Sequence, residues 1–116
     1  MDGGGFACDG AGSVHSIWRR EKSIYFCVDG QPEVSLGTGE QGRAANGGDG
    51  LYFTWIAERP GTLYVLKPNT EKPLRLAERA SDPAIAVSIN GKSPVVVVWE
   101  DPGAAGGPIR VQTIDP

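Results

Sequence analysis

Short apolar segments separated by glycine- and proline-rich turns run through the whole chain. Residues 95–98 are four consecutive valines, 51–56 are almost all large and apolar, and 110–114 alternate between polar and apolar side chains. Continuous apolar runs are typical of strands buried on both faces, and alternation is typical of strands with one buried face. The 17 glycines and 9 prolines are spaced between these runs. The pattern predicts an all-β fold of many short strands joined by turns.

Three units of the same plan succeed one another, at about residues 3–41, 42–81 and 82–116. Trp18, Trp55 and Trp99 mark the register, because each ends a predicted second strand and is followed by a polar turn. Their separations are 37 and 44 residues, and a period of about 40 residues with four strands per unit is that of a propeller blade. We predict one domain, 1–116, forming a partial β-propeller of three blades with four, four and three antiparallel strands. A β-sandwich or small barrel is the alternative.

The residues that come after the tryptophans resemble a known group of propellers. A strand ending in Trp, a charged turn, a strand opening with Ile24-Tyr25 or Leu63-Tyr64, and then a Gly/Asp turn resemble blades of the sialidase-like propellers, which carry Asp-box (BNR) repeats. The nearest match to the Asp box is 27–30, which keeps the aspartate, Asp29, and the glycine after it but lacks the serine and the terminal aromatic. Because that aspartate is structural in the family, the resemblance implies an architecture and assigns no catalytic residue.

Acidic and basic residues recur in the loops that propeller geometry places on one face. Loops that join second to third strands, and fourth strands to the next blade, share this face around the central channel. Guanidinium and carboxylate groups there suit a glycan, another polar ligand or a partner surface, and ordinary solvated loop charge is the alternative. The candidate ligand-binding residues are Arg19, Arg20, Arg43, Glu58, Arg59, Arg79, Glu100 and Asp101.

No cofactor or metal is expected. His15 is the single histidine, and neither Cys8 nor Cys27 belongs to a CxxC pair or a Cys/His set, so the sequence predicts no zinc or iron site. The two cysteines are predicted to be unbonded, because the second strand separates the strands that carry them. The glycines of 37–42 have GxGxxG spacing, but residues 43–48 cannot form the helix that a dinucleotide site requires. His15 is interpreted as structural, since adjacent Ser16 points to the opposite face of the strand.

Charge and hydropathy restrict the partners. The net charge is −3 and basic residues are not concentrated, so neither nucleic acid nor an anionic membrane is expected as a partner. The sequence lacks a run of about 18 apolar residues, and 1–5 has neither a basic start nor an apolar run. We therefore expect neither a transmembrane segment nor a signal peptide, and the cellular location is not predicted.

A three-blade chain is too short to close a ring, since closed propellers contain about 4–8 blades. Its first and last blades would expose apolar faces, which stable monomers do not leave in water. We therefore predict that the chain assembles with itself, in the first instance as a homodimer of six blades. The predicted function is a non-catalytic scaffold or binding module. The alternative is a sialidase-like glycoside hydrolase fragment that is active only when assembled or within a longer parent.

Overall fold

Ten antiparallel strands make up the regular structure of the described part of the chain, which contains no helix. The structure is a computed structural model, and it describes residues 3–47, 50–57, 61–87, 94–103 and 105–115. The strands are β1 Gly4–Cys8, β2 Val14–Arg20, β3 Ser23–Val28, β4 Val34–Asn46, β5 Leu51–Ala57, β6 Leu63–Leu66, β7 Leu74–Ala77, β8 Ser81–Ala86, β9 Val95–Glu100 and β10 Ile109–Ile114. The prediction of an all-β, antiparallel fold is confirmed. Within the described residues, no helix is long and apolar enough to cross a membrane.

The strands belong to two hydrogen-bonded sheets. Strands β1 to β7 pair in chain order as a seven-stranded meander, and β8 to β10 form a three-stranded sheet in which β9 is central. Within each sheet, strands that follow one another in the chain are paired, as hairpin-connected antiparallel strands are, and the break between the sheets falls between β7 and β8.

The long strand β4 replaces two strands of the prediction. The sequence predicts separate strands at 33–36 and 43–46, joined by a loop, and eleven strands in all. Instead, Gly37 and Thr38 pair with β3 while Gly39 and Glu40 pair with β5, so the expected loop is itself extended and hydrogen-bonded. A register shift between Glu40 and Arg43 interrupts the pairing with β5. Such an irregularity bends a strand, and the meander folds over at this point.

Folding at β4 produces three layers. We call β1 to β3 with residues 34–38 the first layer, residues 39–46 with β5 to β7 the middle layer, and β8 to β10 the third layer. Strands β1 and β2 contact β4 across the first junction, and β4 and β5 contact β8 across the second. The predicted unit boundaries, 41/42 and 81/82, fall at the bend of β4 and at the start of β8.

The core consists of two apolar clusters on opposite faces of the middle layer. The cluster between the first and middle layers consists of Ile17, Ile24, Leu51, Phe53, Trp55 and Leu66. The cluster in contact with the third layer consists of Tyr52, Ile56, Leu63, Val65, Ala80, Val95, Val97, Trp99 and Ile114. Strand β5 contributes alternate side chains to both, which explains why its sequence is apolar without alternation. The hydrophobic burial that stabilises the fold is thus concentrated at two junctions.

The tryptophans lie where the repeat predicts, one near the end of the second strand of each layer. Trp55 is 1% exposed and Trp99 is 7% exposed, while Trp18 is half-buried. The cysteines are also placed as expected: β2 lies between the strands that carry Cys8 and Cys27, and both thiols are free.

Candidate functional site

The first and middle layers repeat one aromatic pair. Trp18 lies opposite Tyr25, and Trp55 lies opposite Tyr64, on the neighbouring strand. The ring centroids are 6.2 Å and 5.8 Å apart, with interplanar angles of 24° and 26°. In the third layer, Arg110 lies opposite Trp99. Two of the three layers therefore share both the residue types and the ring geometry at this position.

Backbone irregularities recur at matching positions as well. The strand register shifts between Ile24 and Tyr25 in the first layer and between Leu63 and Tyr64 in the middle layer. Because these shifts occur at equivalent residues, the layers share backbone details as well as strand order, which is typical of a structural repeat.

Equivalent backbone hydrogen bonds hold the two connections between successive layers. Lys22 and Gly61 both have positive φ, 73° and 97°, in the turn between the second and third strands. Their carbonyl oxygens accept the backbone N–H groups of Gly39 (2.9 Å) and Ala80 (3.1 Å), which begin the passage to the next layer. Each turn is therefore held against the connection to the next layer.

Two further contacts join these turns and connections at one end of the molecule. The backbone N–H of Asp82 donates to Oε1 of Gln41 at 2.8 Å, and both residues have positive φ, 51° and 56°. A side chain at Gly103, in the third layer's turn, would collide with the guanidinium of Arg79. This end, which we call the loop end, carries four of the eight sequence-predicted site residues: Arg43, Arg79, Glu100 and Asp101.

Arg20 is directed away from the loop end. Its guanidinium lies 4.4 Å from the ring centroid of Tyr25 and makes two hydrogen bonds to the carboxylate of Glu33, at 2.5 Å and 3.2 Å. The Glu33 carboxylate, followed by the hydroxyl of Tyr25, raises the pKa of Arg20 above its ordinary value. Arg20 therefore forms a bidentate ion pair on the outer face of the first layer.

Arg43, Glu100 and Asp101 are distributed along the loop end. Arg43 is exposed and its Nη1 donates to the carbonyl of Gly42 at 2.9 Å. The Asp101 carboxylate accepts the N–H of Gly103 at 3.1 Å and lies 3.6 Å from Nε of Arg110. The half-buried Glu100 lies beside Gly107. These contacts hold the loops; they do not direct the arginines and carboxylates to one shared point.

The structure describes one of the three remaining candidates. Arg19 is half-buried on β2, one residue after Trp18 and on the opposite face of the strand. Glu58 and Arg59 lie outside the described residues.

His15 pairs with Asp9 at the opposite end of the first layer. The His15 Nε2 lies 2.9 Å from Asp9 Oδ2, while Asp9 Oδ1 accepts the backbone N–H groups of Ala11 and Ser13. The hydrogen bond from His15, then that from Ser13, lowers the pKa of Asp9 below its ordinary value of 3.8. The Asp9 carboxylate thus fixes a tight turn, and His15 supports it, in keeping with its structural interpretation.

Aspartate side chains that bond to their own turn are found away from the Asp-box position. The turn after β3 is closed by the backbone N–H of Gln31 donating to the carbonyl of Val28 at 2.8 Å. Side-chain bonds to the N–H two residues later occur instead at Asp9 and Asp101. Nothing in these turns is specific to the sialidase-like family.

The outer face of the first layer carries a feature that the sequence reasoning did not single out. Phe6, Ser16, Trp18 and Tyr25 lie on this face, which we call the outer aromatic face, and Phe6 is 72% exposed. A cavity of about 540 Å³ opens between the glycines of 3–5, Phe6, and residues 16–18. The alternation of Ser16 and Trp18 with buried Ile17 is the signal that would have placed them together.

The outer face of the third layer is aliphatic. Val96 and Val98 alternate with the buried residues of β9, and Ile109 and Val111 lie on the same side of β10. Ile109 is 65% and Val111 is 63% exposed. We call these four residues the outer aliphatic face; large exposed apolar patches of this kind mark interaction surfaces.

Comparison with known proteins gives no relative: no protein-family model, curated protein or solved structure matches this chain. Within the described residues, no group of three or more His, Cys, Asp and Glu side chains is placed to hold a metal ion.

Proposed function

We propose that this chain is a non-catalytic β-propeller scaffold or binding module, made of three blade units, that assembles with other copies of itself. The observation that carries the proposal is the repetition between layers: the Trp–Tyr pairs and the hydrogen bonds accepted by the carbonyls of Lys22 and Gly61 recur at matching positions. Face-to-face stacking of equivalent four-stranded sheets is how propeller blades are arranged.

Binding at the loop end is the activity that suits such a scaffold. Successive connections meet there through Gln41 and Asp82, and exposed Arg43 and Arg79 lie along it. Guanidinium groups on loops held by a rigid sheet recognise carboxylates and sugar hydroxyls well. The ligand class we propose is a glycan or another polar molecule.

The alternative, a sialidase-like hydrolase fragment, requires arginines gathered around one substrate carboxylate. Three arginines instead pair with carboxylates of this chain: Arg20 with Glu33, Arg75 with Glu78, and Arg110 with Asp101. These pairs belong to three different layers. Their separation favours binding without turnover.

A fluorogenic sialoside panel and a glycan array, run on the same protein, test the proposal. We expect no turnover, and glycan signals that fall at least about tenfold in the double variant Arg43→Ala/Arg79→Ala, because two charge-assisted contacts are removed. Lys72→Ala, at an exposed site before β7, is the matched control and should keep the signal. Turnover that disappears in the double variant would establish the hydrolase alternative instead.

A further inference from the structure

The two outer faces occupy opposite ends of the stack of layers and have different shapes. The outer aromatic face is a surface with a cavity beside Trp18, and the outer aliphatic face carries projecting β-branched side chains. The inner junctions show how such faces meet, because the same strand positions recur in each layer.

The first inner junction places a projecting side chain on a glycine. Ile17 of β2 packs on Gly42 of the middle layer so closely that a Cβ on Gly42 would lie 2.9 Å from Ile17 Cγ1. Any larger residue at position 42 would displace Ile17. Ile17 thus acts as a knob, and the backbone at Gly42 acts as its socket.

Strand pairing identifies the equivalents of this knob and socket on the outer faces. Val98 precedes Trp99 as Ile17 precedes Trp18, so Val98 is the knob position of the third layer. On the socket side, Gly42 comes directly before Arg43, and Arg43 pairs with Thr54, the residue before Trp55. In the same way, Gly4 comes directly before Gly5, and Gly5 pairs with Ile17, the residue before Trp18. Gly4 is therefore the socket position of the first layer, and it lines the cavity.

A second pair of positions matches in the same way. Ile24 and Trp55 meet above Gly39 in the first inner junction. Ile24 pairs with Arg19, the residue after Trp18. Ile109 pairs with Glu100, the residue after Trp99. Ile109 is therefore positioned to meet a Trp18 as Ile24 meets Trp55.

We infer that a second copy of this chain docks head to tail, with its outer aliphatic face on the outer aromatic face, Val98 in the cavity over Gly4 and Ile109 against Trp18. The inference rests on the proposed function and supplies its interface. A second copy is the occupant because the chain itself carries both halves of a junction that it already uses internally. Head-to-tail contacts either close into a ring or continue as a filament, and two copies closing on each other would stack six layers.

Two variants, each altering one face, test the interface. Val98→Lys places a positive charge on the knob, and Ser16→Glu places a negative charge in the cavity. Both side chains lie on faces open to solvent in a single copy, so each variant should keep the circular dichroism spectrum of the wild type. Light scattering is expected to give the wild type twice the 12.2 kDa chain mass. Each variant should weaken assembly by at least about 100-fold, because an unpaired charge is buried at the contact.

Mixing the two variants distinguishes head-to-tail docking from pairing of like surfaces. The Ser16→Glu chain keeps its Val98, and the Val98→Lys chain keeps its cavity, so a mixed dimer has one intact junction. Its second junction brings together a lysine and a glutamate of opposite charge, so a dimer should return. Leu74→Lys is the matched control, since Leu74 is exposed and lies on neither outer face; it should assemble as the wild type does.

The outcomes distinguish failure of the docking interface from failure of the self-assembly in the proposed function. A wild-type dimer that both variants leave intact, or a mixture that stays monomeric, overturns the docking while self-assembly stands. A wild type that remains a 12.2 kDa monomer at all concentrations overturns both the docking and the self-assembly of the proposed function. Loss in each single variant with recovery in the mixture establishes the interface.

Discussion

Trp18 and Trp55 occupy equivalent strand positions in very different surroundings. Trp55 stacks on Tyr64 and is enclosed by Ile17, Ile24 and Gly39 of the preceding layer and its connection. Trp18 stacks on its own tyrosine in the same geometry but has no layer before it in this chain, and the cavity opens at its side. The aromatic pair is therefore a property of the first and middle layers themselves, and its burial is a property of the junction.

The side chains next to Trp18, on an open face, differ from those at the equivalent positions of the other layers. Ser16 stands where the middle layer has Phe53 and the third layer has Val97, and Arg20 with Glu33 covers part of Tyr25. The outer aliphatic face keeps Val96, Val98, Ile109 and Val111 together, with Glu100 and Thr113 on the same side of the sheet. The open face of the third layer thus keeps its apolar side chains, whereas the open face of the first layer has fewer of them around its tryptophan.

The comparison predicts unequal costs for removing the two rings. Trp55→Ala should lower the free energy of unfolding by about 3–5 kcal/mol, the loss typical of a fully buried large aromatic. Trp18→Ala should lower it by about 1 kcal/mol, since it mainly loses the stacking on Tyr25. Urea titration of both variants in a Val98→Lys background, in which the outer aromatic face stays uncovered, provides the measurement. Equal losses would contradict the distinction between inner junctions and open faces.

The repeat could be predicted from the sequence because large apolar and aromatic residues mark it. The tryptophans, the Ile/Leu-Tyr strand openings and the continuous apolar run of β5 placed the second and third strands correctly. The continuity of β4 could not be predicted: residues 37–42 look like a loop by composition, yet Gly37 and Thr38 pair with β3, and Gly39 and Glu40 pair with β5. Tertiary hydrogen bonding overrides the local preference of glycine there.

The candidate site was predicted less completely than the fold. Loop charges could be assigned to one end from strand order, but Arg20 lies along its strand because Tyr25 and Glu33 offer it a ring face and a carboxylate. Such a choice depends on cross-strand register, which a sequence alone does not fix. The cavity beside Trp18 likewise depends on how the glycines of 3–5 pair with β2.

The close approach at the first inner junction predicts a smaller effect, at Gly39. A Cβ there would lie 2.8 Å from the carbonyl oxygen of Ile56 and 2.9 Å from Cγ1 of Ile24. Gly39→Ala should therefore lower the free energy of unfolding by about 1–3 kcal/mol, as overpacking does. The second junction has Ala80 in the matching place, so the constraint belongs to the first junction alone.

Gly10→Ala is the control for this change. A Cβ at Gly10 meets nothing within 4 Å, so its substitution should leave stability unchanged or raise it by up to about 1 kcal/mol. Urea titration of the two alanine variants compares them directly. A neutral Gly39→Ala would mean that the layers are less tightly apposed at β4 than the inner-junction description requires.

The smallest predicted effect concerns acid and separates the first layer from the third. Hydrogen bonds from His15 and Ser13 hold the pKa of Asp9 below 3.8, so the native state binds the proton less readily than the unfolded chain does. The stabilisation is therefore fully present above pH 3.8 and is lost as the pH falls through the lower native pKa. Asp9→Asn should flatten this acid dependence, because its amide oxygen still accepts the turn's N–H bonds but does not titrate. Asp29→Asn, in an exposed turn, should retain it.

Unfolding free energies measured between neutral pH and the acid limit, with amide NMR signals of Ala11 and Val97 as local probes, provide the test. Acid should move the Ala11 signal in the first layer before that of Val97 in the third layer. Simultaneous movement, or an unchanged acid dependence in Asp9→Asn, would show that the Asp9–His15 pair does not govern the acid response.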